Sequence, residues 1–177
     1  PGNCLIDSWV RKNSKSKYDK DGLLASKGSK NEIILENAQD LFTRISTLSR
    51  SFDVNDFDIS FARGLSLEDG ATTLTCFTAE SIASSILDIL ETVNYKSLKI
   101  LISGGGRKNK TLIEKIKKKM TKNILIKDID DYGINGDFIE SQAFAFLAIR
   151  SLLNLPISFP NTTGCSKPCT GGEIIKY

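Results

Sequence analysis

Leu98-Lys99-Ile100-Leu101-Ile102-Ser103-Gly104-Gly105-Gly106 is the stretch from which the fold reads outward. Leu98 to Ile102 is apolar except for Lys99, which predicts a short buried strand. The glycines end it. A basic helix follows to about Thr121, opened by Thr111-Leu112-Ile113-Glu114 with the spacing of a capping box. Ile124 to Ile126 reads as a second strand. Asp137-Phe138-Ile139-Glu140 then caps a helix to about Asn154, stopped by Pro156 and Pro160. That helix is apolar nearly all round, through Phe138, Ile139, Ala143, Phe144, Phe146, Leu147, Ile149, Leu152 and Leu153. Such a pattern predicts burial on most sides. Asn161 to Gly172 is a loop, and Glu173 to Tyr177 a final strand. Strands alternating with helices give an α/β class with parallel pairing.

Upstream, Asn3 to Lys12 is a short helix, with Leu5, Ile6, Trp9 and Val10 at helical spacing and Asn3 as a cap. Asn13 to Asn31 is polar and punctuated by glycine, hence a loop. Glu32 to Leu48 suits a helix with a break midway, and Ser51 to Leu65 looks irregular. Ser66-Leu67-Glu68-Asp69 is a capping box for a helix to about Val93. Ala71, Leu74, Ile82, Ile86, Ile89, Leu90 and Val93 mark its expected buried stripe.

Composition narrows the chemistry. The 177 residues suit one domain, and 40% hydrophobic with 25% charged residues excludes a disordered chain. Basic residues exceed acidic by 24 − 21 = 3, too little to argue for nucleic acid. No uninterrupted apolar run approaches the ~20 residues of a membrane span, so no membrane partner is expected. There is no histidine, which removes His-based triads, His general bases and His-ligated metals. The four cysteines, Cys4, Cys76, Cys165 and Cys169, lack zinc-site spacing and suit a reduced cytoplasmic protein. The opening Pro1-Gly2, with no initiator Met and no signal peptide, reads as a piece of a longer polypeptide.

Two constellations carry chemistry. A strand ending in glycines before a helix lets a ligand approach the backbone closely, and the helix N-terminus favours anions. Gly104, Gly105, Gly106 and Asn109 therefore line a nucleotide, or else form a plain tight turn. The second is Glu140, a carboxylate at the start of a buried helix. It either closes its own helix or hydrogen-bonds a polar substrate. Asp128, Asp130, Asp131 and Asp137 lie just upstream and either attract Mg²⁺ or are simply solvated. The Lys-rich run from Arg107 to Lys122 lacks interleaved aromatics and reads mainly as a solvent face.

Several segments together resemble the C-terminal half of the bacterial anhydro-N-acetylmuramic acid kinases. Pro1-Gly2-Asn3-Cys4-Leu5-Ile6-Asp7-Ser8-Trp9 resembles the end of an Asp-Thr-Gly-Pro-Gly-Asn motif and its helix. Tyr18-Asp19-Lys20-Asp21-Gly22 resembles the loop after it. Leu65 to Ala83 resembles the family's long helix, and Ser103-Gly104-Gly105-Gly106-Arg107-Lys108-Asn109 its adenosine-side glycine motif. Gly136-Asp137-Phe138-Ile139-Glu140-Ser141-Gln142-Ala143-Phe144-Ala145-Phe146-Leu147-Ala148 is the most specific match. Leu155-Pro156 and Thr163-Gly164-Cys165 close the series; between Leu48 and Ser60 the match is looser.

The resemblance implies the C-terminal domain of an actin-like (ribonuclease H-like) ATPase fold, a mixed sheet flanked by helices, spanning residues 1–177 as one unit. It implies ATP and Mg²⁺ as cofactors and a small amino sugar as substrate. Gly2, Asn3, Gly104, Gly105, Gly106, Arg107 and Asn109 would bind nucleotide, and Glu140 the sugar. Arg107 stands where the family often has Ala. The catalytic base would lie upstream of Pro1, in an N-terminal domain absent from this chain, so the chain alone is expected to be inactive. The alternative is a non-catalytic nucleotide-binding or dimerisation module of the same fold, with a homodimer as partner.

Overall fold

Ser66 opens the helix around which the rest assembles. Its Oγ accepts a hydrogen bond from the Asp69 amide at 3.1 Å and starts a 25-residue helix, Leu67–Glu91, here α3. The computed structural model describes residues 2–45, 54–173 and 175. Helices α1 (Cys4–Asn13) and α2 (Glu32–Ile45) precede α3. Strand β1 (Leu98–Ile102), α4 (Lys110–Lys119), β2 (Ile124–Asp128), α5 (Ile139–Leu152) and α6 (Pro160–Thr163) follow it.

The first half of α3 is buried on every side, from Gly70 to Ala79. Apart from Leu74 and Phe77 its residues are small or carry a hydroxyl, so neighbours approach closely, and most of the hydroxyls bond to backbone carbonyls or amides, with Thr78 Oγ1 left without a partner. Thr75 donates to the Ala71 carbonyl at 2.7 Å, and Ser81 to that of Phe77 at 2.9 Å. The Thr72 hydroxyl lies 2.9 Å from the Ala25 carbonyl, which pins the loop before α2. By length and composition α3 could cross a membrane, but half of its apolar window is packed inside this fold, as a core helix would be. The expected stripe holds at Ala71 and Leu74 and fails further along, where Ile89 and Val93 are more than half exposed or nearly so.

Two apolar clusters meet on α3. The first joins Leu5, Ile6 and Trp9 of α1 to Leu35 and Ala38 of α2 and to Leu74 and Phe77 of α3. Phe42, Phe57 and Phe61 close it, with the Phe42 and Phe77 rings edge-on at 5.9 Å. The second joins Ala79 to Leu112 and Ile116 of α4 and to Ile126 of β2. The strands pair in parallel, Leu98 opposite Ile124 through Ile102 opposite Asp128. The α/β class with parallel pairing is therefore present. A separate antiparallel bridge joins Ser158 and Cys169.

Three expectations need correction. β1 is not buried on both faces: Ile100 and Ile102 pack on the second cluster, while Lys99 and Leu101 are exposed. The apolar run concealed an alternation of period two. α5 is not buried at all: Phe144, Phe146, Ile149 and Leu152 are 71%, 59%, 57% and 63% exposed. Its composition signals a need for apolar cover, and the described residues do not supply that cover. Third, α2 runs unbroken to Ile45, and the expected continuation to Leu48 lies outside the described residues. The final strand at Glu173–Tyr177 falls mostly outside them too.

Candidate functional site

β1 delivers the chain into Gly104, which has φ 74° and ψ −179°. Only glycine occupies that region without strain. The Gly104 amide donates to the Gly136 carbonyl at 3.0 Å, so the β1 turn is tied to the segment that leads into α5. Gly105 to Lys108 then form a single tight 3₁₀ turn. A Cβ placed on Gly105 or Gly106 would meet no atom within 4 Å, so this backbone faces open space.

Asn109 closes the turn and is 2% exposed. Its Oδ1 accepts from the Leu112 amide at 3.0 Å, which makes Asn109 the cap of α4. The cap is not Thr111, as the box spacing suggested; the Thr111 hydroxyl donates to the Gly22 carbonyl at 2.8 Å and fastens a distant loop instead. The Asn109 side-chain N–H donates to Asn3 Oδ1 at 3.1 Å, and Asn3 donates in turn to the Gly105 carbonyl at 3.4 Å. Gly2, at φ 63°, turns the chain into Asn3. The structure thus brings Asn3, Gly105 and Asn109 together.

Arg107 points elsewhere. Its side chain is 3% exposed and sits among three carboxylates, with contacts of 2.6 Å to Asp137, 2.9 Å to Asp130 and 3.3 Å to Asp128. Nη1 also donates to the Gly104 carbonyl at 3.0 Å. Hydrogen bonds to Asp137 and then Asp130 raise its pKa, so it stays charged. With its donors committed in this way, the guanidinium shapes the turn from beneath.

The acidic residues are accordingly not an open cation site. Asp137 also pairs with Lys108 at 2.6 Å. Among the described residues no group of three or more acidic or thiol side chains is arranged to hold a metal. The carboxylates of Asp128, Asp130 and Asp137 surround a cation already present, so they do not fit Mg²⁺. Asp137 is held down to about 2, first by hydrogen bonds from Arg107 and then from Lys108. Asp130 is lowered too, first by the Gly136 amide and then by Arg107. A depressed carboxyl contributes stability above its unfolded pKa, about 3.9, and loses it as pH falls through the folded value. The expected result is that the Asp137 side-chain carboxyl, followed by NMR, titrates near pH 2 and not near pH 4.

Because Asp137 is engaged by Arg107 and Lys108, it does not cap α5. Phe138 occupies the cap position and makes no side-chain hydrogen bond. Glu140 therefore sits one position nearer the helix start than box spacing implies, and it does not close its own helix. Its carboxylate is exposed, and no described residue bonds it. The positive end of α5 favours a negative charge there. Glu140 lines a pocket of about 190 Å³ with Ser103, Gly104, Gly105, Gly136, Asp137 and Ile139. Carboxylate and glycine turn thus share one cavity. Ser103 and Gly136 were not expected in it. Gly136 is the more telling omission, because a Cβ there would come within 2.7 Å of Arg107 Nε.

A family model described as anhydro-N-acetylmuramic acid kinase matches residues 1–177. A protein of that name from Pelagibacter ubique is 52% identical over 177 residues, covering 99% of this chain and 47% of the relative. One from Zymomonas mobilis is 40% identical over 176 residues, covering 98% and 46%. The chain spans about half the length of the curated relatives it matches.

Proposed function

We propose, because the chain belongs to the anhydro-N-acetylmuramic acid kinase family along residues 1–177, that it forms the adenosine-side, C-terminal half of an ATP-dependent sugar kinase. The reaction is that of 1,6-anhydro-N-acetylmuramic acid with ATP and water. Water adds to the anomeric carbon, the C1–O6 bond breaks, and O6 takes the γ-phosphoryl group. The products are N-acetylmuramic acid 6-phosphate and ADP, and the setting is cell-wall recycling in the bacterial cytoplasm.

The observation that carries this reading is the shared pocket of Gly104, Gly105 and Glu140. Gly104, Gly105 and Gly106 present an open backbone for the nucleotide, steadied by Asn3 and Asn109, with Gly2 setting the approach. Arg107 contributes from beneath the turn. Glu140 accepts hydrogen bonds from the sugar, and Mg²⁺ travels with the ATP phosphates. Phosphoryl transfer needs both walls of a cleft and a base for the water. The second wall and the base come from the polypeptide that the relatives carry beyond the matched half, which also covers the exposed apolar face of α5. A non-catalytic or dimerising module would use that same helix, so an assay must separate the readings.

The test is ATP-dependent phosphorylation of the anhydro sugar by residues 1–177 alone and by a polypeptide that adds the relatives' other half. Turnover by the longer protein alone is the expected result. ATP binding by both without turnover by either would favour the non-catalytic module.

A further inference from the structure

Arg107 ties together three segments of the chain. These are the β1 turn at the Gly104 carbonyl, the end of β2 at Asp128 and Asp130, and the lead into α5 at Asp137. The same Nη1 donates to the Gly104 carbonyl at 3.0 Å and to Asp137 at 2.6 Å. Two further bonds reinforce the link. Gly104 donates to the Gly136 carbonyl at 3.0 Å, and the Gly136 amide donates to Asp130 Oδ1 at 2.7 Å. Gly136 lies so close to the guanidinium that a side chain there would strike it. Glu140 begins three residues beyond Asp137, with no capping bond of its own to fix the helix start.

The glycine turn and the Glu140 segment therefore share a buried cation as their common support. We propose that Arg107 is a positioning residue that couples the two: a nucleotide seated on Gly104–Gly106 orders, through Arg107 and Asp137, the segment that presents Glu140 to the second substrate. This rests on the kinase reading above and adds a linkage between its two substrate sites. Planar guanidinium geometry is what the role demands. Three carboxylates and a carbonyl are reached at once by five N–H donors in a fixed fork, whereas a lysine ammonium at this position could satisfy only part of that set. The linkage has physical content because each substrate would then tighten the other, by about fivefold or more.

The test uses the longer kinase polypeptide and the β,γ-imido analogue of ATP, followed by amide hydrogen exchange. In the unmodified protein the analogue slows exchange in residues 102–108 and also in 136–143. In Arg107→Ala it slows the first segment and loses most of its effect on the second, which the Gly104–Gly136 backbone bond and the exposed Lys108–Asp137 pair still join to the turn, while exchange in α3 stays as it was. Arg107→Lys falls between, because charge alone restores part of the grip. If Arg107→Ala fails to fold, Asp137→Ala removes the arm leading to Glu140 together with the Lys108 pair, leaves Arg107 on Gly104, Asp128 and Asp130, and is expected to uncouple the segments in the same way. Protection of 136–143 by the analogue in the folded variants, equal to that in the unmodified protein, overturns the proposal and leaves the kinase reading standing. No protection at all in the unmodified protein overturns the kinase reading, and the coupling with it. A purely structural Arg107 would change exchange with and without nucleotide alike and would not remove the nucleotide-dependent difference.

Discussion

Gly70→Ala lowers stability by about 2–4 kcal/mol, although the usual rule for a helix interior says the opposite. Replacing an interior glycine with alanine normally gains about 1 kcal/mol of helix propensity. Here the new Cβ would stand 2.6 Å from Trp9 Nε1, with two ring carbons closer still. Trp9 is 5% exposed and cannot swing into solvent. Its indole N–H donates to the Leu67 carbonyl at 2.9 Å, one turn before Gly70. Making room for the methyl moves the ring off that carbonyl. Overpacking costs about 1–3 kcal/mol, and an orphaned buried donor about as much again, so the losses outweigh the propensity gain. Urea denaturation of the protein measures the change. Trp9→Phe in the same protein removes the indole atoms that collide, so the two substitutions together should cost less than their sum. Strict additivity would mean that Gly70 is glycine for some other reason.

Gly70 also shows where reading the sequence stops. Alone in a helical pattern it looks like a small defect, because the tryptophan that requires it lies on a different helix. The elements themselves were largely legible: Ser66 capped where its spacing said, and the apolar run at Leu98 became a strand parallel to a second at Ile124. The glycine turn was legible as well, since a strand that meets Gly-Gly-Gly has few other options. What stayed hidden depends on neighbours far along the chain. Arg107 finds Asp130 and Asp137 at separations of 23 and 30 residues, and no local pattern announces such a pairing. Once Asp137 is drawn into that pairing, the capping box expected at α5 cannot form. The same displacement occurs at α4, where buried Asn109 caps the helix through the Leu112 amide and the Thr111 hydroxyl goes to the Gly22 carbonyl instead. The exposure of α5 was hidden for the reverse reason: an apolar pattern signals burial, and pattern alone does not say whether the described residues supply the cover.

Glu140→Gln in the proposed kinase lowers kcat/KM for the anhydro sugar by about 10²-fold and moves KM for ATP by less than about threefold. The size follows from the chemistry lost. A hydrogen bond to a charged acceptor contributes about 1.5–3 kcal/mol, and glutamine keeps the shape while losing the charge and one acceptor oxygen. The selectivity follows from position. Glu140 shares its pocket with Gly104 and Gly105 but makes no bond to the turn, so the nucleotide backbone contacts survive. Stability should change by no more than about 1 kcal/mol, the worth of an exposed charge at a helix N-terminus, because no described residue is bonded to the carboxylate. That last point separates function from structure. A carboxylate retained for the helix alone would cost stability when neutralised, since the positive end of α5 would lose its counter-charge, and turnover would be spared. Steady-state kinetics with each substrate varied, alongside a thermal melt, decides between them. Loss of turnover at constant melting temperature assigns Glu140 to the sugar, and full activity with a lowered melting temperature assigns it to the helix.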